Sequence, residues 1–262
     1  MKIAIVKLSS LGDVLHALPV ARALRRHFPE AHLTWIVEAR ELAILKDHPD
    51  LDAVVPVDTR LWRRLIWRPA GAVEVGGKVS RLTERIRRAR FDVAIDLQGL
   101  IKSGLLTAYT GAALRIGFAF AHCREPLNAL FTNRRVTPPR EAVHIVEQYL
   151  SLLAPLGVRA ARPVWELPWD PKAEQRIEEL LSEQGVKPRD RLVALNPGAG
   201  RPSKRWPVEH FARVAERLAV EAGARVLLLW GPDEEAMARS IAARMTARPL
   251  LAPPTTIPEL TA

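Results

Sequence analysis

Four stretches of this chain carry side chains of the right types to do chemistry. The first is Ser9-Ser10-Leu11-Gly12-Asp13, between an apolar run and an amphipathic helix. Gly12 would allow a tight turn and close approach of a ligand. Backbone N–H groups at the start of the helix can hold an anion. Asp13 either faces the crevice where such a ligand would sit or is simply the residue that caps the helix. The spacing is neither G-x-G-x-x-G nor a P-loop, which disfavours dinucleotide binding and ATP hydrolysis of those kinds. The second stretch, Asp96-Leu97-Gln98-Gly99, follows another strand and would point a carboxylate and an amide into the same crevice as Asp13. The competing reading is a turn in which Asp96 accepts local backbone bonds.

The third stretch runs from Asn196 to Pro207, after a strand and before a helix. Its glycines Gly198 and Gly200 and its basic residues Arg201, Lys204 and Arg205 suit a diphosphate. Lys204 offers a point charge, and Arg201 or Arg205 a planar fork; the plain alternative is a solvated loop. The fourth, Arg60–Arg68, packs four arginines and two tryptophans into nine residues. That mixture suits a surface facing anionic lipid or a phosphorylated glycolipid. Nucleic acid is the rival ligand, and a solvated amphipathic helix the ordinary one. The seven histidines are scattered without zinc-ligand spacing, and Cys123, the one cysteine, has no partner for nucleophilic catalysis. No metal site is expected.

These stretches need strands and helices to place them. Lys2–Lys7 reads as a strand, and Val14, Leu15, Leu18, Ala21, Leu24 and Phe28 recur at helical spacing. Further strands are expected over His32–Val37, Ala53–Val57, Phe91–Asp96 and Leu114–Gly117. Helices are expected over Lys78–Arg90, Leu100–Tyr109 and Glu141–Leu153. Alternation of this kind implies βαβ units and a mostly parallel sheet, in which ligands sit beyond the carboxyl ends of the strands. The prolines between Gly157 and Pro171 break the pattern and read as a linker. The style then resumes, with helices over Ala173–Gln184, Val208–Ala222 and Glu234–Met245 and strands over Leu192–Leu195 and Arg225–Trp230. The expected domains are residues 1–157, a linker over 158–171, and 172–262. Near the end, Thr256-Ile257-Pro258-Glu259 carries the marks of a capping box. With the chain stopping at Ala262, that helix is not expected to form, and the second domain reads as incomplete.

Bulk composition narrows the class. The chain has 262 residues, 48% hydrophobic and 26% charged, enough for a real core. A single cysteine excludes an internal disulfide and fits a reducing compartment. The N-terminus is too short in apolar residues for a signal peptide, and no run approaches a membrane span. A soluble or surface-attached protein is expected. Thirty-nine basic against 29 acidic residues give a net charge of +10. Such a surface attracts nucleic acid, anionic lipid or phosphorylated substrates without choosing among them.

The segment Lys7-Leu8-Ser9-Ser10-Leu11-Gly12-Asp13-Val14-Leu15-His16-Ala17-Leu18-Pro19 resembles the opening motif of the lipopolysaccharide heptosyltransferases, inverting glycosyltransferases that use ADP-heptose. Asp96-Leu97-Gln98-Gly99-Leu100-Ile101-Lys102-Ser103, Arg124-Glu125-Pro126-Leu127, Ser203-Lys204-Arg205-Trp206-Pro207 and Trp230-Gly231-Pro232 match in the right order. The resemblance covers essentially the whole chain, and the 124–127 and 60–68 segments look most like the heptosyltransferase I type. It implies an α/β fold of GT-B type, with two Rossmann-like domains facing each other across a cleft.

The resemblance also implies roles. Asp13 would be the general base. Lys204 would hold the donor diphosphate, with Asn196, Gly198 and Arg201 beside it. Ser10, Gly12, Arg60, Arg63, Arg64, Gln98, Arg124 and His144 would face the acceptor. The donor would be ADP-heptose and the acceptor the Kdo of Kdo2-lipid A, with no cofactor and no nucleic acid. The protein would lie in the cytoplasm against the inner-membrane surface. The family's later Asp-Thr-Gly-x-x-His segment falls outside this chain, so weak donor binding, or a fragment that only holds anionic glycolipid, is an expectation too. The nearest rival within the family is heptosyltransferase II, which acts on a heptosylated core.

Overall fold

A computed structural model describes residues 1–59, 71–159 and 162–262. The chain divides into two compact units, Met1–Pro168 and Trp169–Ala262. Each is treated by itself.

The first unit is built on a six-stranded sheet of β1 (Lys2–Val6), β2 (His32–Glu38), β3 (Ala53–Val57), β4 (Val93–Asp96), β5 (Leu114–Phe118) and β6 (Arg134–Val136). All neighbours pair parallel, in the order β3-β2-β1-β4-β5-β6. Parallel strands covered on both faces are apolar along their length rather than alternating. Ile3, Ala4, Ile5 and Val6 of β1 accordingly all have zero exposure, as do Leu33, Trp35 and Ile36 of β2. Each such large side chain contributes about 1.5–3 kcal/mol by leaving water. The helices α1 (Leu11–His27), α2 (Gly71–Arg88), α3 (Ile101–Tyr109) and α4 (Ile145–Ser151) complete the unit.

Strand β6 escapes the sequence pattern because only three residues form it, on the sheet edge, two of them exposed arginines. The helix expected over Glu141–Leu153 is the short α4 alone, capped by His144. Pro19 lies inside α1. It has no N–H for the Leu15 carbonyl one turn earlier, and the indole Nε1 of Trp165 donates to that oxygen at 3.2 Å instead. The returning segment near residue 165 is thereby fastened to α1.

The second unit has α5 (Pro171–Glu183), β7 (Leu192–Leu195), α6 (Val208–Val220), β8 (Arg225–Leu228), α7 (Glu235–Ala242), β9 (Leu250–Leu251) and α8 (Ile257–Thr261). Its three strands run parallel in the order β7-β8-β9. The core beneath α6 and α7 centres on Ala212, Ala215, Val226, Leu228, Ala238 and Ile241. Asp170 caps α5 through Lys172 N at 3.0 Å, so Pro171 opens a helix instead of closing a linker. The expectation for the chain end is corrected: α8 forms one turn. Its capping box is complete, Thr256 N donating to Glu259 Oε2 at 2.7 Å and Glu259 N to Thr256 Oγ1 at 3.4 Å. Arg176 of α5 pairs with Glu259 at 2.8 Å and anchors that turn.

Candidate active site

In the sheet of the first unit, the winding reverses between β1 and β4. The loops that follow these two strands therefore meet at the crevice where such sheets take ligands. Gln98 joins them: its Oε1 accepts from Leu8 N at 3.0 Å and Ser9 N at 3.2 Å. The side chain is buried, and its acceptor is committed to shaping the loop that leads to Asp13.

Asp96 does not point into the crevice. It has zero exposure and accepts four hydrogen bonds, from Gln98 N (2.8 Å), Gly99 N (3.1 Å), Ser103 Oγ (2.9 Å) and Asn128 Nδ2 (2.7 Å). Burial pushes its pKa up and those donors pull it back. The turn reading is the correct one, and Asp96 organises the β4 loop from beneath. Gly99 is needed there for two reasons. Its φ is +68°, and a Cβ would meet Arg124 N at 3.3 Å. Glu125 N donates to Gly99 O at 2.9 Å, and Glu125 Oε2 accepts from Ile101 N at 2.6 Å. Arg124 is thus held at the β4 loop by its backbone, with its side chain exposed.

Asp13 sits in the first turn of α1, and Ser10 takes the N-cap position that the capping alternative gave to Asp13. Asp13 Oδ2 accepts from Ser10 N at 3.0 Å and Ser10 Oγ at 3.2 Å. Its Oδ1 accepts no hydrogen bond among the described residues. One oxygen is fixed and the other is available, which is the geometry a general base needs. Gly12 is helical without a positive φ, so no tight turn requires it. Nothing lies within 4 Å of where its Cβ would be, and its bareness keeps the mouth of α1 open.

Sequence reasoning quoted Lys7 in a motif but gave it no role. Its side chain is 2% exposed. The Nζ donates to Tyr149 Oη at 2.7 Å and Leu97 O at 3.3 Å, and lies 4.7 Å from the Tyr149 ring centroid. No carboxylate reaches ion-pair distance among the described residues. Burial lowers its pKa from 10.5 to about 8, against the opposing pull of the Asp13 and Asp96 charges and with a push from Arg124. Burial likewise raises the Tyr149 hydroxyl, with the Asp13 charge adding to it. A lysine ending a strand of four buried residues was the available signal.

His144 caps α4, its Nδ1 accepting from Val146 N at 3.3 Å. Its ring meets that of His16 edge to face, with centroids 5.6 Å apart. His16 belongs to α1, so this contact holds His144 beside the helix that carries Asp13. Ser10 and His144 are both exposed. Arg60, Arg63 and Arg64 lie outside the described residues.

In the second unit, Asn196 follows β7 and its Oδ1 accepts from Gly198 N at 3.2 Å. A Cβ on Gly198 would overlap the Glu234 carboxylate. Glu234 in turn accepts from Gly231 N at 3.1 Å and pairs with Arg205 at 3.5 Å. Arg205 Nε also donates to Ala199 O at 3.0 Å. The fork of Arg205 is therefore committed inside the loop. Arg201 and Lys204, across a single 3-10 turn, are exposed and have no ion pair among the described residues. Of the three basic residues, these two are left to meet an anion.

The model of glycosyltransferase family 9 (heptosyltransferase) matches residues 79–262. Lipopolysaccharide heptosyltransferase 1 of Pseudomonas aeruginosa is 31% identical over 256 residues, covering 94% of this chain and 65% of the relative. Lipopolysaccharide heptosyltransferase 2 of Salmonella typhimurium is 28% identical, covering 90% and 65%. The chain thus spans about two thirds of each relative's length. Escherichia coli heptosyltransferase WaaC, solved with ADP, superposes with a TM-score of 0.76 at 28% identity, over 99% of this chain and 77% of that one. The fold is accordingly α/β of the GT-B type. With the opening motif, the β4 loop and the glycine loop in their expected places, the chain belongs to glycosyltransferase family 9, the heptosyltransferases.

Proposed function

We propose that this chain carries the catalytic base and the diphosphate-binding loop of an inverting heptosyltransferase of lipopolysaccharide core synthesis. In this reading it moves heptose from ADP-heptose to the Kdo of Kdo2-lipid A. The observation that carries it is the Asp13 carboxylate, one oxygen fixed by Ser10 and the other open at the carboxyl end of the sheet. Asp13 takes the proton of the acceptor hydroxyl as that oxygen bonds to the anomeric carbon. The bond from that carbon to the ADP oxygen breaks, and the electron pair leaves on the diphosphate. Lys204 and Arg201 neutralise the departing charge, the electrostatic help that such a leaving group needs. Ser10, Gln98, Arg124 and His144 shape or border the acceptor side, and Arg60, Arg63 and Arg64 are assigned to its phosphates. ADP-heptose is substrate, and no cofactor enters. The reading assigns the work to the cytoplasmic face of the inner membrane.

The match to relatives of types 1 and 2 at similar identity makes the acceptor the point to test. Mass spectrometry of Kdo2-lipid A incubated with ADP-heptose and the protein should show one added heptose. Asp13→Asn should reduce the rate by about 10²–10⁴-fold. Transfer only to an already heptosylated acceptor would move the assignment to the type II reaction. Undiminished transfer by Asp13→Asn would remove Asp13 as the base.

A further inference from the structure

Along the second half of α1, about 9–21 Å of helix beyond Asp13 at 1.5 Å per residue, lies an open groove of about 510 Å3. The α1 residues Arg22 and Arg26 form one wall, and Arg159 and Arg162 of the returning segment the other, with Val158 and Val164 lining it as well. The returning segment is tied down at one end of the groove before any ligand arrives. Trp165 is bonded to α1 as described, and Arg22 Nη1 pairs with Glu166 Oε2 and Asp50 Oδ1, both at 2.8 Å. His48 Nε2 contacts Glu166 O at 2.9 Å and closes the same corner. Within this frame the charges do not cancel. Arg26, Arg159 and Arg162 are exposed and have no carboxylate partner among the described residues. The Nε of Arg22 is buried without an acceptor.

Planar guanidinium groups converging on one concavity match the tetrahedral oxygens of phosphate, which they bind in pairs. The volume is ample for a phosphate or diphosphate with part of its carrier, and the valines give that carrier an apolar contact. We propose that this groove is a second anion site, separate from the Asp13 crevice and the Lys204 loop, that binds the phosphate of an anionic lipid headgroup or a soluble diphosphate. The proposal does not depend on the transfer reaction.

The test compares two variants with equal change of net charge. One is Arg26→Glu/Arg159→Glu in the groove. The other is Arg85→Glu/Arg87→Glu, two exposed α2 arginines remote from it in sequence. All four side chains are exposed, so both variants should melt like the parent. Binding is measured by co-sedimentation with phosphatidylcholine vesicles containing phosphatidylglycerol, and by titration calorimetry with inorganic pyrophosphate. A roughly tenfold or greater loss of vesicle binding in the groove variant alone, as expected for two lost charge-assisted contacts, supports a lipid headgroup. The same selective loss with pyrophosphate supports a soluble ligand. Equal losses in both variants, or none in either assay, would overturn the proposal, because the groove would then act only as part of a basic surface.

Discussion

Replacing Lys7 by Met removes a positive charge from a place that penalises it. The lysine is nearly sealed from water, and burial brings its pKa from 10.5 to about 8. Between these values the unfolded chain holds more protons than the folded one, so the parent gains stability as pH rises through that window. The difference corresponds to about 3 kcal/mol. Below pH 8 the burial penalty is fully present; near pH 10.5 it has largely gone. Lys7→Met carries no such group, so the stability of the variant minus that of the parent should fall by about 3 kcal/mol between pH 7 and pH 10.5. Titrating groups that do not touch Lys7 cancel in the subtraction. The substitution also leaves the Tyr149 hydroxyl and Leu97 carbonyl without the ammonium, a loss of about 1–3 kcal/mol, but that offset does not follow the same pH course. Urea unfolding followed by tryptophan fluorescence at a series of pH values gives the difference directly. A difference that stays constant to within about 0.5 kcal/mol, the usual error of additive changes, would refute the reasoning, because Lys7 would then titrate as an ordinary surface lysine.

Other substitutions separate structural from chemical roles. Asp96→Asn should cost about 2–4 kcal/mol in chemical denaturation, because its amide would face donors where the carboxylate accepted four bonds; Asp13→Asn should leave stability almost unchanged. Gly99→Ala should cost about 1–3 kcal/mol, from the positive φ and the approach of Arg124 N, and should slow transfer by loosening the Arg124 segment. Lys204→Ala should weaken ADP binding in calorimetry by about tenfold or more with little change in melting temperature. Arg205→Ala should lower the melting temperature of the second unit, since it releases both Ala199 O and Glu234.

The strand and helix alternation was legible because a parallel sheet writes buried runs such as residues 3–6 and Val93–Asp96 between amphipathic helices. Elements of two or three residues were not, since β6 and β9 are too short to carry any period. Asp13 and the glycine loop were visible from their places after strands. What the one-dimensional reading missed is partnership. Asp96 and Asp13 look alike on paper, yet one has all its lone pairs occupied and the other keeps an oxygen open. Arg201 and Arg205 were interchangeable as forks until Glu234, beyond the following helix and strand, claimed the second. Lys7 passed as a motif letter because nothing local reveals that Tyr149 closes over it. The capping box at Thr256 was recognised, but not that its Glu259 also pairs with Arg176, far upstream.

The stitch between Gln98 and the backbone of Leu8 and Ser9 spans ninety residues of sequence. During synthesis the loop over Leu8 and Ser9 therefore leaves the ribosome about ninety residues ahead of the side chain that shapes it. At about 5–20 residues per second the delay is roughly 5–18 s. Through that interval the apolar β1 strand has no β4 to pair with, and its exposed edge is a target for holding factors or for mispairing. The loop ahead of α1 thus acquires its shape late, which makes translation speed over residues 10–100 a lever on the yield of folded molecules.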